Sequence, residues 1–323
     1  MGATAPESGT QADRQREGER EERKTIELSN GRPTIVVGVD GSDPSLAAVR
    51  WAADEAAGRG ATLRLVTVFG HWYGYGPRPG STDVDEAMAR NATRYLGIGC
   101  AIACKIAPEL SIELDERDGH PGEVLVEEAA RAALLVVGHR GWGSRPPLWG
   151  GSVAIRAAAA AACPVVVVPE SAPPVSPDAD RPVVVGIDGS PLSEAAIGFA
   201  FEQADHRGVP LVAVHCWLDQ VYEREVAALI DWAAVRTGEE ALLAQRLAGW
   251  AEKYPAVPVR RVVLRDGPAH ALVEHSAEAG LLVLGSHGRG SVLGTLLGSV
   301  SLAAIRHAHC PVAVVRPDPE RRP

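Results

Sequence analysis

The chain has 323 residues, which is enough for two domains of ordinary size that each bury a core. Its net charge of -9 argues against a nucleic-acid binder, because such proteins usually present a basic face to phosphate groups. Residues 2–23 are polar and give no apolar core for a signal peptide, and the uncharged run 157–169 is too short to span a bilayer. We therefore expect a cytoplasmic protein with no nucleic-acid and no membrane partner.

The chain divides into two similar units that are flanked by polar segments. Residues 1–31 mix Glu and Arg without apolar periodicity, which predicts a disordered tail. Residues 32–169 form the first predicted domain, and residues 182–317 form the second. The segment 170–181 contains three prolines and is typical of a semi-extended linker, and residues 318–323 form a C-terminal tail.

Within each unit, predicted strands and helices alternate. In the first unit we predict strands at Thr34–Asp40, Thr62–Phe69, Ser111–Arg117, Leu134–Gly138 and Val165–Val168, and helices at Ser45–Arg59, Asp83–Ile106, Gly122–Arg131 and Gly151–Ala161. In the second we predict strands at Val183–Asp188, Val209–Cys216, Val259–Arg265, Leu281–Gly285 and Val312–Val315. Strands that are apolar throughout favour a parallel sheet covered on both faces. The predicted fold is two tandem, doubly wound, five-stranded α/β domains of Rossmann-like architecture.

A glycine motif follows the fourth strand of each unit with identical spacing. The two copies read Gly138-x-x-Gly141-x9-Gly151-Ser152 and Gly285-x-x-Gly288-x9-Gly298-Ser299. Such glycines let backbone N–H groups approach an anion, and a helix that starts at Gly-Ser directs its positive end towards it. The motif therefore predicts a phosphate cradle in each unit.

An aspartate follows the first strand of each unit, as Asp40-Gly41-Ser42 and Asp188-Gly189-Ser190. Asp in this place could cap the following helix. The adjacent serines, Ser42 and Ser190, supply a better cap, which favours a ligand-facing role for the aspartates. Ligands in doubly wound sheets bind at the carboxyl ends of the strands, where the aspartates and both cradles are predicted to lie.

The chain resembles the ATP-binding branch of the universal stress protein family, in its tandem two-domain form. The resemblance rests on the aspartate after the first strand, on the glycine spacing, and on the last strands that open with Cys163-Pro164 and Cys310-Pro311. The resemblance covers about residues 33–169 and 182–316. It implies a nucleotide-dependent stress-response regulator or interaction module that binds ATP, with Mg²⁺, and acts on a protein partner that the sequence does not name.

The resemblance also implies the nucleotide-binding residues, with no catalytic and no protein metal ligands. Adenine and ribose contacts are implied for Val39, Asp40, Val68, Ile187, Asp188 and Val214. Phosphate contacts are implied for Gly138, Arg140, Gly141, Gly151, Ser152 and Val153 in the first unit, and for Gly285, His287, Gly288, Gly298, Ser299 and Val300 in the second.

The first cradle departs from the family pattern at Pro146-Pro147, whereas the second follows it closely. Each proline removes an N–H donor and fixes φ near about -65°. We therefore expect the second site to bind nucleotide more tightly. The aromatic residues Trp72, Tyr73 and Tyr75 either stack on the adenine or cover the end of the sheet.

Two other function classes fit the sequence less well. A slow ATPase or a nucleotidyl or phosphoryl transferase is the alternative, although phosphoryl transfer needs a metal-binding carboxylate and a positioned base. A dinucleotide-dependent oxidoreductase needs Gly-x-Gly-x-x-Gly after the first strand, where this chain has Gly41 alone. The resemblance also implies that the units pair edge to edge at their last strands, which Pro164 and Pro311 open, as an intramolecular pseudo-dimer, with a homodimer of chains as a further possible assembly.

Overall fold

The computed structural model describes residues 31–69, 82–139, 153–170, 180–190, 193–217, 231–288 and 297–316. In the first unit the elements are β1 Thr34–Gly38, α1 Asp43–Arg59, β2 Thr62–Phe69, α2 Thr82–Ile106, β3 Ile112–Asp118, α3 Pro121–Ala129, β4 Leu134–Gly138, α4 Val153–Ala160 and β5 Val165–Val168. In the second they are β6 Val183–Ile187, α5 Glu194–Arg207, β7 Leu211–Cys216, α6 Trp232–Lys253, β8 Val259–Leu264, α7 Pro268–Ser276, β9 Leu281–Gly285, α8 Ser299–His307 and β10 Val312–Val315.

The ten strands of the described residues form one continuous sheet, in the order β3-β2-β1-β4-β5-β10-β9-β6-β7-β8. Pairing is parallel inside each unit and antiparallel between β5 and β10. Val166 lies opposite Ala313, Val165 opposite Val314 and Val167 opposite Val312. Since Val165–Val168 is equivalent to Val312–Val315, this register is that of a pseudo-two-fold axis at Val166 and Ala313. The predicted doubly wound α/β fold is confirmed.

Two hydrophobic layers cover the faces of this sheet, and each contains residues of both units. One layer packs α1, α2, α5 and α6 against the strands, with Trp51 and Phe201 among its buried side chains. The other packs α3, α4, α7 and α8 on the opposite face. The core therefore runs without interruption from one unit into the other.

A buried charge cluster joins α1 to α5 across the pseudo-two-fold axis. Glu55, only 1% exposed, accepts hydrogen bonds from Arg207 Nη2 at 2.6 Å and from Gln203 Nε2 at 2.6 Å. Arg59 also donates to Glu55, one helical turn away on α1. The Glu55 carboxylate thus accepts hydrogen bonds from two guanidinium groups, one from each unit.

The same contact is asymmetric at the ends of the two helices. Gly58 is equivalent to His206, because both precede by two residues the glycine that ends their helix, Gly60 or Gly208. His206 packs on Gly58 so closely that a Cβ at Gly58 would lie 2.5 Å from the imidazole Nε2. A larger residue at position 58 would displace the imidazole, which is exposed and can turn towards water.

Several predicted boundaries were wrong by a few residues. The first strand ends at Gly38 instead of Asp40, because the backbone turns at Asp40 after a last ladder bond from Val39 N to Val66 O. The strand predicted from Val209 begins at Leu211, since Val209 N closes the end of α5 on Ala204 O. Pro210 then offers no N–H to the sheet.

Candidate functional site

The site of the second unit begins at the turn after β6. Asp188 Oδ1 accepts hydrogen bonds from Ser190 N at 2.9 Å and from Ser190 Oγ at 2.7 Å. Gly189 between them has a φ of +75°, a left-handed conformation that favours glycine. This turn fixes the orientation of the Asp188 carboxylate at the carboxyl end of the sheet.

The strand-one aspartate and the glycine cradle meet in space. Strand β9 pairs with β6, so that the segment after β9 lies beside the turn after β6. A Cβ at Gly288 would lie 2.7 Å from Asp188 Oδ2. The cradle backbone can approach the carboxylate this closely because Gly288 has no side chain.

The start of α8 completes the described part of this cradle. Gly298 is the N-cap residue of α8, and among the described residues no side chain caps the first turn. Gly298 N donates to Ser286 O at 2.8 Å, and Ser301 Oγ donates to Gly285 O at 2.7 Å. These bonds hold Ser299 and Val300, the first helical residues, next to the loop after β9. The helix thereby directs its positive end towards the region of Asp188.

The sheet register shows that Val68 and Val214, which were predicted to contact the base in the two units, are not equivalent positions. Val214 lies opposite Gly186 in β6, and its counterpart opposite Gly38 in β1 is Val66. The position equivalent to Val68 is therefore Cys216, two residues beyond Val214. Val214 is 1% exposed within the sheet, whereas Cys216 lies at the strand end and is half-buried. The end of β7 at Cys216 was predicted correctly, but which residue of β7 is equivalent to Val68 depends on the register with β6.

Sequence reasoning missed His215, which is 1% exposed and lies beside the aspartate turn. Its Nδ1 donates to Ile187 O at 2.6 Å, and its Nε2 lies 2.8 Å from Glu239 Oε2 on α6. The imidazole thus links Ile187, the residue before Asp188, to α6, which covers the sheet. A single polar residue inside the apolar strand Leu211–Cys216 is the signal that could have identified it.

Cys216 places a thiol at the end of β7, on the carboxyl edge of the second unit's sheet. Burial raises the pKa of this thiol to about 11, and the nearby Asp266 carboxylate adds to the shift. Both causes disfavour the thiolate form. Cys216 is therefore a neutral, weakly nucleophilic thiol near pH 7.

The first unit repeats the aspartate turn. Asp40 Oδ1 accepts a hydrogen bond from Ser42 N at 3.0 Å, and Gly41 has a φ of +79°. Ser42 is the N-cap of α1 and accepts from Ser45 N at 3.4 Å, as its sequence predicted. In the second unit the N-cap is Ser193, so the prediction of a cap at Ser190 was wrong.

Only part of the first cradle belongs to the described residues. A Cβ at Gly138 would lie 2.6 Å from the Pro44 carbonyl carbon, so glycine is required where β4 approaches α1. Val153 opens α4, and Val39 and Val68 lie at the ends of β1 and β2. The other predicted residues of this cradle lie outside the described residues: Arg140, Gly141, Gly151 and Ser152.

In the second unit, every predicted site residue lies within the described residues. His287 follows the end of β9, and its Nδ1 is 3.1 Å from Ser286 Oγ. The structure brings Asp188, Gly288 and the start of α8 together. It does not place Val214 at the strand end with them. Among the described helices, none is long and apolar enough to cross a membrane.

Comparisons with known proteins agree with this architecture. The family model "Universal stress protein family" matches residues 31–169 and 181–316. A universal stress protein of Mycobacterium tuberculosis is 42% identical over 292 residues, which cover 87% of this chain and 96% of that protein. One from Mycolicibacterium smegmatis is 39% identical, covering 88% of this chain and 97% of the relative.

The fold is also similar to that of a solved structure. The crystal structure of a universal stress protein from Archaeoglobus fulgidus matches with a TM-score of 0.66 and 19% identity, covering 90% of this chain and 98% of that one. Two family domains in tandem account for nearly all of the described sheet. The chain therefore belongs to the universal stress protein family.

Proposed function

We propose that each unit binds an adenine nucleotide, ATP with Mg²⁺, at the carboxyl end of its half of the sheet. Occupancy of these sites makes the protein a nucleotide-dependent regulator or interaction module of the stress response. The observation that carries the proposal is the approach of Gly288 to Asp188 Oδ2, where a Cβ would lie 2.7 Å away. A carboxylate suited to ribose hydroxyls and a backbone suited to phosphates thus lie side by side.

The donor set fits a nucleotide from base to phosphate. Asp188 can accept hydrogen bonds from ribose hydroxyl groups, as acidic residues do in other doubly wound folds. The start of α8 and the glycines at 288 and 298 suit the phosphates. No group of three or more His, Cys, Asp or Glu side chains in the described part of the chain is placed to hold a metal. Mg²⁺ would then be held mainly by phosphate oxygens and water.

The proposal is tested by titrating the purified full chain with ATP and Mg²⁺ in a calorimeter. Gly288→Ala adds a Cβ against Asp188 Oδ2, and we expect the affinity of the second site to fall about tenfold or more, or at least 1.4 kcal/mol. Gly249→Ala is the matched control, because a Cβ there meets nothing within 4 Å. If the wild-type chain does not bind ATP, the proposal is wrong. It is also wrong if Gly288→Ala binds ATP as tightly as the wild type does.

We propose in addition that the second site binds more tightly than the first. Gly298→Val should remove most of the tight binding, whereas Gly151→Val should remove comparatively little. Equal losses in the two variants would show that Pro146 and Pro147 have no effect on the first site.

Hydrolysis of the bound ATP is proposed to be slow or absent. Asp188 Oδ1 is held by Ser190, which leaves this carboxylate poorly suited to act as a base beside a γ-phosphate. Steady-state turnover on the order of 10 per second would instead favour the enzyme alternative.

A further inference from the structure

Two cysteine thiols contact each other on α2 in the first unit. Cys100 and Cys104 are one helical turn apart, and their sulfur atoms lie 4.0 Å from each other. Cys100 is half-buried against the hydrophobic layer beneath α2, whereas Cys104 is exposed. Both are free thiols. Cysteine is among the residue types most often buried, so the exposed thiol of Cys104 is not explained by packing.

The second unit provides an internal comparison. Both α2 and α6 end six residues before the next strand begins (106 to 112 and 253 to 259), so their last turns correspond without a gap. The counterparts of Cys100 and Cys104 are therefore Leu247, which is buried, and Ala251, which is exposed. An apolar side chain fills the first position, and a methyl group is enough at the second. The thiol pair is thus a feature of the first unit that the repeated fold does not require.

The geometry of a helix keeps this pair from forming a disulfide. Side chains four residues apart on a helix have Cβ atoms about 5–6 Å apart. A disulfide needs about 3.5–4.5 Å between the Cβ atoms and about 2.05 Å between the sulfurs. The sulfur atoms of Cys100 and Cys104 are 4.0 Å apart, so a direct bond would require α2 to unwind. A single atom between the two sulfurs can bond to both while the helix stays intact.

We propose that Cys100 and Cys104 bind one Cu(I) ion through their two sulfur atoms. An ion with metal–sulfur bonds of about 2.3 Å spans the 4.0 Å between the sulfurs with a sulfur–metal–sulfur angle of about 120°. That angle is typical of a three-coordinate ion, whose third ligand is a small thiol from solution. Each cysteine loses its proton to water as its sulfur–copper bond forms, and the copper stays Cu(I) throughout. The site does not depend on nucleotide binding.

The ligand set favours Cu(I) over other cations. Thiolates are soft ligands and select soft ions such as Cu(I), whereas Mg²⁺ and Ca²⁺ require oxygen ligands. Zinc also binds thiolates, but its protein sites use three or four protein ligands. In the part of the chain that the structure describes, no group of three or more His, Cys, Asp or Glu side chains is placed to hold a metal. Two thiolates from the protein are sufficient for Cu(I), because this ion is stable with two or three ligands.

The test is a titration of the reduced full chain with Cu(I) in the absence of oxygen, in competition with the coloured Cu(I) chelator bicinchoninate. We expect the wild-type chain to withdraw one Cu(I) from the chelator, and X-ray absorption of the bound copper to show sulfur neighbours. Cys104→Ser should raise the Cu(I) dissociation constant on the order of 100-fold or more, because even the indirect partners of a metal ligand contribute about 10–100-fold. Position 104 is exposed, so the circular dichroism should stay as in the wild type.

The matched control keeps two cysteines on α2 but separates their sulfur atoms. In the double variant Ile98→Cys with Cys104→Ser, the thiols are two residues apart and do not face each other. Ile98 is 40% exposed, so the change leaves the core intact. This control should bind Cu(I) as weakly as Cys104→Ser alone, and Cys104→Ala repeats the test should the serine variant unfold. A wild-type chain that binds Cu(I) no more tightly than these variants, or that binds Zn²⁺ more tightly than Cu(I), overturns the proposal.

Discussion

At the scale of single residues, Cys216 shows how the two units differ at equivalent positions. The same place in the first unit holds Val68, which has no ionisable group. Burial, followed by the Asp266 carboxylate, raises the pKa of the Cys216 thiol to about 11. The second site therefore carries a chemical reporter that the first lacks.

We predict that Cys216 reacts slowly with iodoacetamide and that ATP slows it further. With a pKa of about 11 instead of 9, its thiolate fraction at pH 8 is about 100-fold smaller. The rate should rise about tenfold per pH unit until the pH nears 11. Cys104, which is exposed, is the internal control and should be insensitive to ATP. Peptide mass spectrometry measures both sites; equal protection of both thiols by ATP would contradict the prediction.

The sequence predicted the positions of some residues of the candidate site but not of others. It predicted that Asp188 and Gly288 lie near each other, because a short motif after a strand fixes where its residues lie, and the structure brings them together. It did not show that Val214 is equivalent to Val66 instead of Val68, and it missed the contacts of His215, since both depend on the pairing between β6 and β7. Register is set by pairing partners distant in the chain, so the equivalence of two strand positions cannot be read from the strand sequences alone.

At the scale of elements, the contact between α1 and α5 depends on one carboxylate. Burial alone would raise the pKa of Glu55, but the Arg207 and Arg59 guanidiniums and the hydrogen bond from Gln203 hold it below its ordinary value. The carboxylate is thus kept ionised in the interior. Its contribution to folding is present above about pH 4.5 and is lost as the pH falls through the lowered pKa.

We predict that Glu55→Gln lowers the free energy of unfolding by about 3–5 kcal/mol, because two guanidiniums lose their buried counter-charge. Urea unfolding at pH 7 measures this loss. As the pH falls below about 4.5 the difference between variant and wild type should shrink, because Glu55 of the unfolded wild-type chain takes up a proton first, and it should vanish once the pH has passed the lowered pKa of the folded carboxylate.

Glu202→Gln is the matched control for that substitution. Glu202 also pairs with Arg59, at 3.3 Å, but its side chain is 55% exposed. We expect it to cost less than about 1 kcal/mol, because water screens exposed ion pairs. Similar losses in the two variants would show that burial of the charge is unimportant.

At the scale of the whole molecule, the continuous sheet predicts that the two units unfold together. Val166 and Ala313 are fully buried at the centre of the β5–β10 pair, and both hydrophobic layers contain residues of both units. A calorimetric scan should show one transition, with calorimetric and van't Hoff enthalpies that agree. Val166→Asp should shift that single transition to lower temperature, whereas Arg260→Ala, on an exposed edge, should leave it in place. Two separated transitions in the wild type would contradict the prediction.

The sequence predicted the architecture of each unit because apolar strands, capped helices and repeated glycines are local signals. The expectation that the last strands pair also agrees with the observed β5–β10 ladder. The Glu55 cluster could not be predicted, since Glu55 and Gln203 are 148 residues apart and meet only through that pairing. Long-range contacts of this kind leave no periodic pattern in the sequence.

The fit of His206 over Gly58 has a consequence for how the two halves can exist. A pair made of two first halves would set glycine beside glycine there, and a pair made of two second halves would set imidazole beside imidazole. Both residues are exposed, so water could fill the first gap and the imidazoles of the second could turn outwards. At this contact, therefore, each half fits the other more closely than it would fit its own copy, although like halves are not barred from meeting.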